Sequence, residues 1–303
     1  MNDFISIETC SSDELNELLA LSANLKNIYK SGGRDVCLAG KTLAMVFEKS
    51  SLRTRISFQV AMTDLGGNGI YLKPSDIGLI GKREPAKDMA RVFSRYVDGI
   101  MARTFSHEAI IELARYASVP VINALSDWTH PCQAMADMLT IQEHRGELKG
   151  LKIAYIGDGN NVARSLAFAC AKFGMKLAIA SPAKYELDEE SITSANTICP
   201  DCVVQLSDAE QAVKDAAAVY TDTWVSMGQE DEKQQRIADF EGFQVNSELM
   251  SKAPSDALVL HCLPAYRGLE ITDEVTESEN SVIFDQAENR LHFQRALLKH
   301  LMS

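Results

Sequence analysis

The segment FEKSSLRTRISF (residues 47–58) combines arginine and hydroxyl side chains at the point where an apolar run gives way to a helical pattern. The free N–H groups of a helix's first turn, together with the helix dipole, favour an anion. Guanidinium and hydroxyl groups would complete a phosphate site there. Ser51, Arg53 and Thr54 therefore predict a phosphate-binding helix start, although these residues alone fit a basic surface helix with a serine cap equally well. Arg55 keeps that structural interpretation.

A second polar segment, SDWTHPCQ (residues 126–133), also lies at the start of a predicted helix, with Pro131 at the favoured first position. His130 could donate a hydrogen bond to a carbonyl oxygen on which negative charge develops, and Gln133 could bind an amide or carbonyl group. A histidine at a helix start is also commonly a simple cap, so this segment alone does not decide between the two roles.

Two loops that follow strand-like runs suit an amino-acid ligand. In TDTWVSMGQE (residues 221–230), Asp222 and Ser226 could bind an ammonium and a carboxylate group. In HCLPAYRG (residues 261–268), Cys262 is either a covalent nucleophile or a small buried side chain. Neighbouring side chains on a strand point to opposite faces, so His261 and Cys262 are not expected to form a catalytic pair.

The turn GDGNNVARS (residues 157–165) resembles a dinucleotide-binding fingerprint, but Val162 occupies the place of its third glycine. The next strand-like run also ends without an acidic residue. A nicotinamide-dependent oxidoreductase is therefore only a remote alternative. Asn160 and Asn161 could instead hydrogen-bond a carboxylate.

These segments follow strand-like runs that alternate with helical patterns, which favours an α/β fold with parallel sheets. We predict two domains, each a mainly parallel sheet flanked by helices, with a boundary near the glycines at 146 and 150. The predicted strands are at 42–48, 97–104, 119–125, 152–158, 176–182, 217–224 and 257–264. A capped helix is predicted from Ser11 to about Lys30. Near the end of the chain, SVIFD (residues 281–285) is strand-like, and a helix follows it.

The composition excludes several classes of function. A net charge of −12 makes nucleic acid an improbable partner, and no apolar run is long enough to span a bilayer. The seven cysteines and the polar N-terminus predict a cytoplasmic protein with reduced thiols. Cys199 and Cys202 form a CPDC segment without a second pair, which favours two incidental cysteines. Because the six histidines are scattered, neither a metal nor another cofactor is predicted.

Five segments, in order along the chain, resemble motifs of the aspartate/ornithine carbamoyltransferase family, and most closely its ornithine-specific members. They are FEKSSLRTRISF, HPCQAMADMLT, DTWVSMGQE, HCLPAYRG and ENRLH. They occur in the same order as in the family, and together they span nearly the whole chain. The resemblance implies a first domain (1–146) that binds carbamoyl phosphate and a second (147–285) that binds ornithine. It also implies that the C-terminal helix (286–303) returns to the first domain, and that the chains assemble as homotrimers or multiples of trimers.

The resemblance also assigns residues to the two substrates. Arg103, His130, Asp222 and Cys262 would be catalytic. Carbamoyl phosphate would be bound by residues from four of these motifs and by Arg103 of the predicted strand at 97–104. The set is Ser51, Leu52, Arg53, Thr54, Arg103, His130, Pro131, Cys132, Gln133, Cys262, Leu263 and Arg290. Ornithine would be bound by Asn161, Asp222, Ser226 and Met227.

The implied reaction transfers the carbamoyl group to the side-chain amine of ornithine, giving citrulline and phosphate, as in arginine biosynthesis. The amine must be neutral to attack, so activity should rise with pH until its proton is lost. Putrescine, an acylated ornithine or aspartate is the alternative acceptor; DTWVSMG with HCLP favours ornithine.

Two departures from the family pattern stand out. Leu52 replaces a common threonine, which removes one hydroxyl from the phosphate site, and Gly78 with Leu79 stands where many members have a glutamine that reaches a neighbouring subunit.

Overall fold

The structure is a computed structural model that describes residues 1–226 and 228–303. The chain divides into two compact units. Unit 1 comprises Met1–Leu139 and Glu288–Ser303, and unit 2 comprises Thr140–Ala287. Each unit contains a parallel sheet with helices packed on it, so the predicted fold class is confirmed.

In unit 1, the described residues form a four-stranded sheet with the order β2-β1-β3-β4 and all neighbours parallel. Its strands are β1 (Thr42–Phe47), β2 (Asn68–Leu72), β3 (Gly99–Arg103) and β4 (Val121–Leu125). β1 and β3 are almost fully buried, as expected for apolar runs covered on both faces. From β1 the chain adds β2 on one side and then crosses to β3 on the other. The strand order therefore reverses between β1 and β3, where ligands bind in open α/β sheets.

In unit 2, the described residues form a five-stranded parallel sheet with the order β7-β6-β5-β8-β9. Its strands are β5 (Lys152–Ile156), β6 (Lys176–Ala180), β7 (Val203–Leu206), β8 (Ala218–Thr221) and β9 (Leu258–His261). Its order reverses between β5 and β8, so unit 2 has its own switch point.

The helices follow the predicted alternation. Ser11 caps the first helix with a complete capping box, as predicted. The helices are α1 (Ser12–Lys30), α2 (Leu52–Asp64), α3 (Pro74–Ile77), α4 (Ala86–Tyr96), α5 (His107–Tyr116), α6 (Pro131–Arg145), α7 (Asn161–Phe173), α8 (Glu189–Ile198), α9 (Ala209–Val213), α10 (Lys233–Asp239), α11 (Ser247–Met250), α12 (Asp273–Thr276) and α13 (Ile283–Met302), with one 3₁₀ turn at Glu230–Glu232. None of those helices has the length and apolar character needed to cross a membrane.

The strand-like reading of SVIFD is wrong. Ser281 makes one isolated bridge to Val259, and α13 begins two residues later. Ile283 is fully buried whereas Phe284 is 62% exposed. So short an apolar run fits a helix or a strand equally well, and here helical packing decides.

The C-terminal part of α13 belongs to unit 1, as predicted. Phe293 packs against Phe4 with ring centroids 5.6 Å apart. Lys26 Nζ donates to Asn289 Oδ1 over 2.8 Å. These contacts fix the helix segment that carries Arg290.

Candidate active site

The first turn of α2 lies at the switch point of unit 1, directly after β1. Ser51 caps the helix: its Oγ accepts the Thr54 N–H at 3.3 Å and donates to Thr54 Oγ1 at 3.1 Å. Thr54 is buried, Arg53 is half-buried, and Leu52 is 71% exposed. Arg55 stacks over the Tyr71 ring at 4.0 Å, in keeping with its structural interpretation.

Arg290 on α13 joins this helix start to α6. Its Nη1 donates to Gln133 Oε1 at 2.6 Å, and its Nη2 donates to Thr54 Oγ1 at 3.4 Å. The Gln133 amide in turn donates to Asp137 Oδ1 at 2.8 Å. Three segments that are distant in the sequence thus form one hydrogen-bonded group, and the orientation of the Gln133 amide is fixed by its two partners. Asp137 was not predicted, although its spacing of four residues from Gln133 on a helix places both on one face.

His130 and Arg103 are the remaining predicted groups of unit 1, and they lie at this edge of the sheet. Arg103 ends β3, and His130 immediately precedes α6; both are buried. Burial, followed by the charges of Arg290 and Arg103, holds the pKa of His130 well below its ordinary value. His130 is therefore a neutral imidazole at neutral pH and can donate one ring N–H.

Pro131 and Cys132 occupy the first turn of α6. The Cys132 thiol is completely buried and lies 3.5 Å from the carbonyl oxygen of Asn123. Burial raises its pKa to about 12, so this cysteine stays protonated and does not act as a nucleophile.

Glu48, which lies inside the first quoted motif, has a positional role that the sequence did not reveal. Its buried carboxylate accepts the Ile80 N–H at 2.5 Å and the Phe105 N–H at 2.8 Å. It therefore ties the loop after α3 and the loop after β3 to the end of β1. An acidic residue beside a predicted phosphate site was the available signal.

In unit 2, Asp222 follows β8 at the switch point and lies at the centre of a hydrogen-bonded group. Its Oδ1 accepts the Thr223 N–H at 2.8 Å and the Cys262 thiol at 2.9 Å. Its Oδ2 accepts Asn160 Nδ2 at 3.0 Å. The structure thus brings together Asp222 and Cys262, two of the residues assigned to the substrates, and adds Asn160.

The other residues assigned to ornithine follow Asn160 or Asp222 closely in the sequence. Asn161 begins α7 and is half-buried. Ser226 is also half-buried, and its N–H donates to Gln229 Oε1 at 3.0 Å. Met227 lies outside the described residues. Arg236 on α10 donates to the Trp224 carbonyl at 3.1 Å and to Asp158 Oδ2 at 2.8 Å, which anchors the start of this loop to the end of β5.

The segment that contains Cys262 and Leu263 is held by a buried pair. His261 Nδ1 accepts the Leu263 N–H at 2.9 Å, and its Nε2–H donates to Glu270 Oε1 at 3.1 Å. Leu263 has a φ of +59°, an uncommon value for a residue other than glycine, so the His261 contact supports a strained position. As expected, His261 and Cys262 have different partners.

Asp222, His261 and Cys262 are the one described group of three side chains whose potential ligand atoms lie within 4.8 Å of one another. Both ring nitrogens of His261, however, are engaged with Leu263 and Glu270. A metal bound by all three would have to break one of these bonds, so the arrangement fits a hydrogen-bonded site better than a metal centre.

The chain matches two domain families along most of its length. Residues 2–143 match the carbamoyl-P binding domain of aspartate/ornithine carbamoyltransferase, and residues 149–301 match the Asp/Orn binding domain.

Full-length relatives agree with these matches. The ornithine carbamoyltransferase of Methanocorpusculum labreanum is 54% identical over 301 residues, which is 99% of this chain and 98% of that protein. The ornithine carbamoyltransferase of Anoxybacillus flavithermus is 50% identical over 303 residues, 99% of this chain and 96% of that protein. The solved ornithine carbamoyltransferase of Pyrococcus furiosus superposes with a TM-score of 0.96 at 48% identity, covering 99% of this chain and 97% of that one. The chain therefore belongs to the aspartate/ornithine carbamoyltransferase family.

Proposed function

We propose that the protein transfers the carbamoyl group of carbamoyl phosphate to the side-chain amine of L-ornithine, giving L-citrulline and phosphate. The observation that carries this proposal is a buried group of cations around His130 in unit 1. Arg103, His130 and Arg290 are all buried there, and Arg290 is hydrogen-bonded to Gln133 and Thr54. The charges of both arginines also lower the pKa of His130. Such a group suits a phosphorylated carbonyl compound, and the full-length relatives named as ornithine carbamoyltransferases support ornithine as the acceptor.

The phosphate of carbamoyl phosphate is the leaving group, so catalysis requires positive charge where it departs. Arg53 and Arg103, with the N–H groups at the start of α2, are proposed to stabilise it. Ser51, Thr54 and the backbone at Leu52 complete this helix start, and Arg290 ties it to Gln133. Pro131 and Cys132 contribute the first turn of α6.

His130 is proposed to polarise the carbonyl group. As the amine adds, negative charge develops on the carbonyl oxygen, and a buried N–H donor stabilises that charge without reorganising water. Since burial and two arginines keep His130 neutral, it donates a hydrogen bond and does not deliver a full positive charge.

Asp222 is proposed to bind an ammonium group of ornithine, and Asn161, Ser226 and Met227 to bind the rest of the amino acid. The Cys262 thiol, which donates to Asp222, is proposed to orient the acceptor amine and not to form a covalent bond. Leu263 would contact carbamoyl phosphate through its constrained backbone. Holding both substrates at once makes the addition effectively intramolecular.

Several finer predictions belong to this proposal. They are domain limits at 1–146 with 286–303 and at 147–285, a homotrimer or a multiple of trimers, a cytoplasmic location, and a place in arginine biosynthesis. The domain limits are supported by family matches at residues 2–143 and 149–301.

A panel of acceptors tests the function. Purified protein is assayed with carbamoyl phosphate and either ornithine, putrescine, N-acetylornithine or aspartate, without added metal or nucleotide. We expect citrulline from ornithine at a kcat/KM well above that for the other three. Clear preference for any other acceptor would overturn the assignment.

A further inference from the structure

The side chain of Asn160 uses both ends of its amide within unit 2. Asn160 is the N-cap of α7, and its Oδ1 accepts the N–H groups of Val162 at 2.8 Å and Ala163 at 3.2 Å. Its Nδ2 donates to Asp222 Oδ2 at 3.0 Å.

The cap fixes which end of the amide faces Asp222. The N–H groups at a helix start require an acceptor, and only the oxygen of an asparagine amide can accept. With Oδ1 turned toward the helix, the NH₂ group must point the other way. The orientation follows from hydrogen bonding alone, because the reversed amide would place two donors against N–H groups and an oxygen against a carboxylate.

The two residues meet at the switch point of the unit 2 sheet. Asn160 follows β5 and Asp222 follows β8, and these two strands are adjacent. The remaining oxygen of Asp222 is already engaged by Cys262 and Thr223. Asn160 thus supplies the third donor, from the opposite side of the carboxylate.

We propose that Asn160 is a positioning residue for carbamoyl transfer: it locks the carboxylate of Asp222 in the rotamer that receives the amine-bearing substrate. This inference rests on the proposed role of Asp222 in ornithine binding. It differs from a substrate contact, because Asn160 acts through Asp222 while its oxygen is committed to α7. The sequence pattern alone allows Asn160 to bind the carboxylate of a substrate. In the structure, its NH₂ group instead donates to the carboxylate of Asp222.

Two substitutions separate the cap from the donor. Asn160→Ser and Asn160→Asp both keep a good N-cap acceptor, so both should preserve α7. Asn160→Ser removes the donor to Asp222. Asn160→Asp replaces it with a second carboxyl oxygen about 3 Å from the first, and two carboxylates at that separation do not both ionise readily.

The kinetic expectation differs between the two variants. For Asn160→Ser, kcat/KM for ornithine should fall about tenfold, the value of one lost charge-assisted hydrogen bond, with an unchanged pH slope. For Asn160→Asp, the slope of log kcat/KM against pH should increase from about one toward two below neutral pH, because the shared proton must also leave. The KM for carbamoyl phosphate should stay within about twofold in both.

Asn246→Asp is the matched control. Asn246 caps α11 in the same unit, with Oδ1 accepting the Leu249 N–H at 3.0 Å. The same change of side chain there should leave the ornithine kinetics and the pH slope unchanged. An active wild-type enzyme in which the Asn160 variants behave like Asn246→Asp would overturn the proposal.

A second measurement does not depend on turnover. Cys262 donates to Asp222, so negative charge added at position 160 should disfavour its thiolate. Alkylation of Cys262 by iodoacetamide at pH 8, followed by peptide mass spectrometry, should be about three to ten times slower in Asn160→Asp than in wild type or Asn246→Asp. Equal rates would refute the link between positions 160 and 222. If no acceptor is carbamoylated, the proposed function fails, and this rate still decides whether Asn160 controls the Asp222 group.

Discussion

The two units use the same arrangement of strands and helix starts, yet the charged side chains assigned to the substrates at their switch points have opposite sign. In unit 1, the residues that follow β1 and end β3 include Arg53 and Arg103, and Arg290 is hydrogen-bonded to Thr54, the neighbour of Arg53 in the chain. In unit 2, Asp222 follows β8, whereas Asp158, which follows β5, is paired with Arg236. A shared backbone plan therefore supplies the location of each site, and side chains decide the sign of the ligand.

The capping residues at the two helix starts, α2 in unit 1 and α7 in unit 2, also differ. Ser51 takes the Thr54 N–H, whereas Asn160 takes those of both Val162 and Ala163. Two backbone N–H groups of the first turn of α7 are thus already hydrogen-bonded to the cap, and the NH₂ group of Asn160 donates to Asp222. A helix start at a switch point is therefore not sufficient evidence for an anion site; the capping residue must be considered.

The largest expected effect comes from removing a cation from unit 1. Arg53→Gln should lower kcat/KM for carbamoyl phosphate about 100-fold to 1,000-fold, since a preorganised donor to the departing phosphate is lost. Steady-state kinetics with each substrate varied in turn measure this. The KM for ornithine should change far less, because the acceptor is assigned to the other unit.

Arg91→Gln is the control for lost positive charge. Arg91 is exposed on α4, where it pairs with Asp88 at 3.3 Å. Its replacement should change kcat/KM less than about threefold, as expected of an exposed ion pair. If Arg53→Gln behaved the same way, the phosphate site would have to lie elsewhere.

The converse experiment removes the anion from unit 2. Asp222→Asn should lower kcat/KM for ornithine about 100-fold while leaving calorimetric binding of carbamoyl phosphate, without acceptor, within about twofold of wild type. Asp239→Asn is the matched control: Asp239 accepts the Tyr185 hydroxyl at 2.9 Å and lies on α10. Weakened carbamoyl phosphate binding in Asp222→Asn alone would contradict the division of substrates between units.

The sequence predicted most of the framework but few of these contacts. The buried strands, the helix starts and the family motifs depend on local patterns, so they could be predicted from neighbouring residues. The bond between Arg290 and Gln133 spans 157 positions, and that between Asn160 and Asp222 spans 62. Such pairs depend on which helices and strands become neighbours in the fold, and periodicity does not specify that.

Two of the four edge strands, β2 and β7, were missed for a related reason. β2 and β7 are partly exposed and lack the continuous apolar run of a buried strand. Glu48 was visible in its motif, but its backbone partners at Ile80 and Phe105 lie on separate loops. The sequence therefore suggested which groups could do chemistry and left open how they are held.

A smaller effect is expected on folding stability in acid, through the titration of His130 in unit 1. The pKa of His130 is lowered in the folded protein, so below the ordinary value of 6.5 the unfolded chain binds a proton that the folded chain does not. Titration of His130 therefore does not change the unfolding free energy above about pH 6.5, and it lowers that free energy as the pH falls below 6.5.

His130→Gln isolates this term. On moving from pH 7.5 to pH 5.5, the variant should lose about 1 kcal/mol less unfolding free energy than wild type, since one histidine no longer titrates. Urea unfolding at both pH values measures the difference, and groups common to both proteins cancel. An equal loss in wild type and variant would mean that His130 is readily protonated in the folded state.

The smallest expected effect concerns Leu52, the residue that departs from the family motif. Its side chain is 71% exposed, whereas its backbone belongs to the first turn of α2, whose N–H groups are directed toward the site. Leu52→Thr should therefore change the KM for carbamoyl phosphate less than about threefold, because the backbone donor is present with either side chain. Ser51→Ala, which removes the cap to Thr54, should have a larger effect on the same constant. A tenfold or greater gain in carbamoyl phosphate affinity for Leu52→Thr would show instead that the phosphate site of this chain lacks a hydroxyl that it could use, and the sign of charge at the switch point would then be an incomplete description of unit 1.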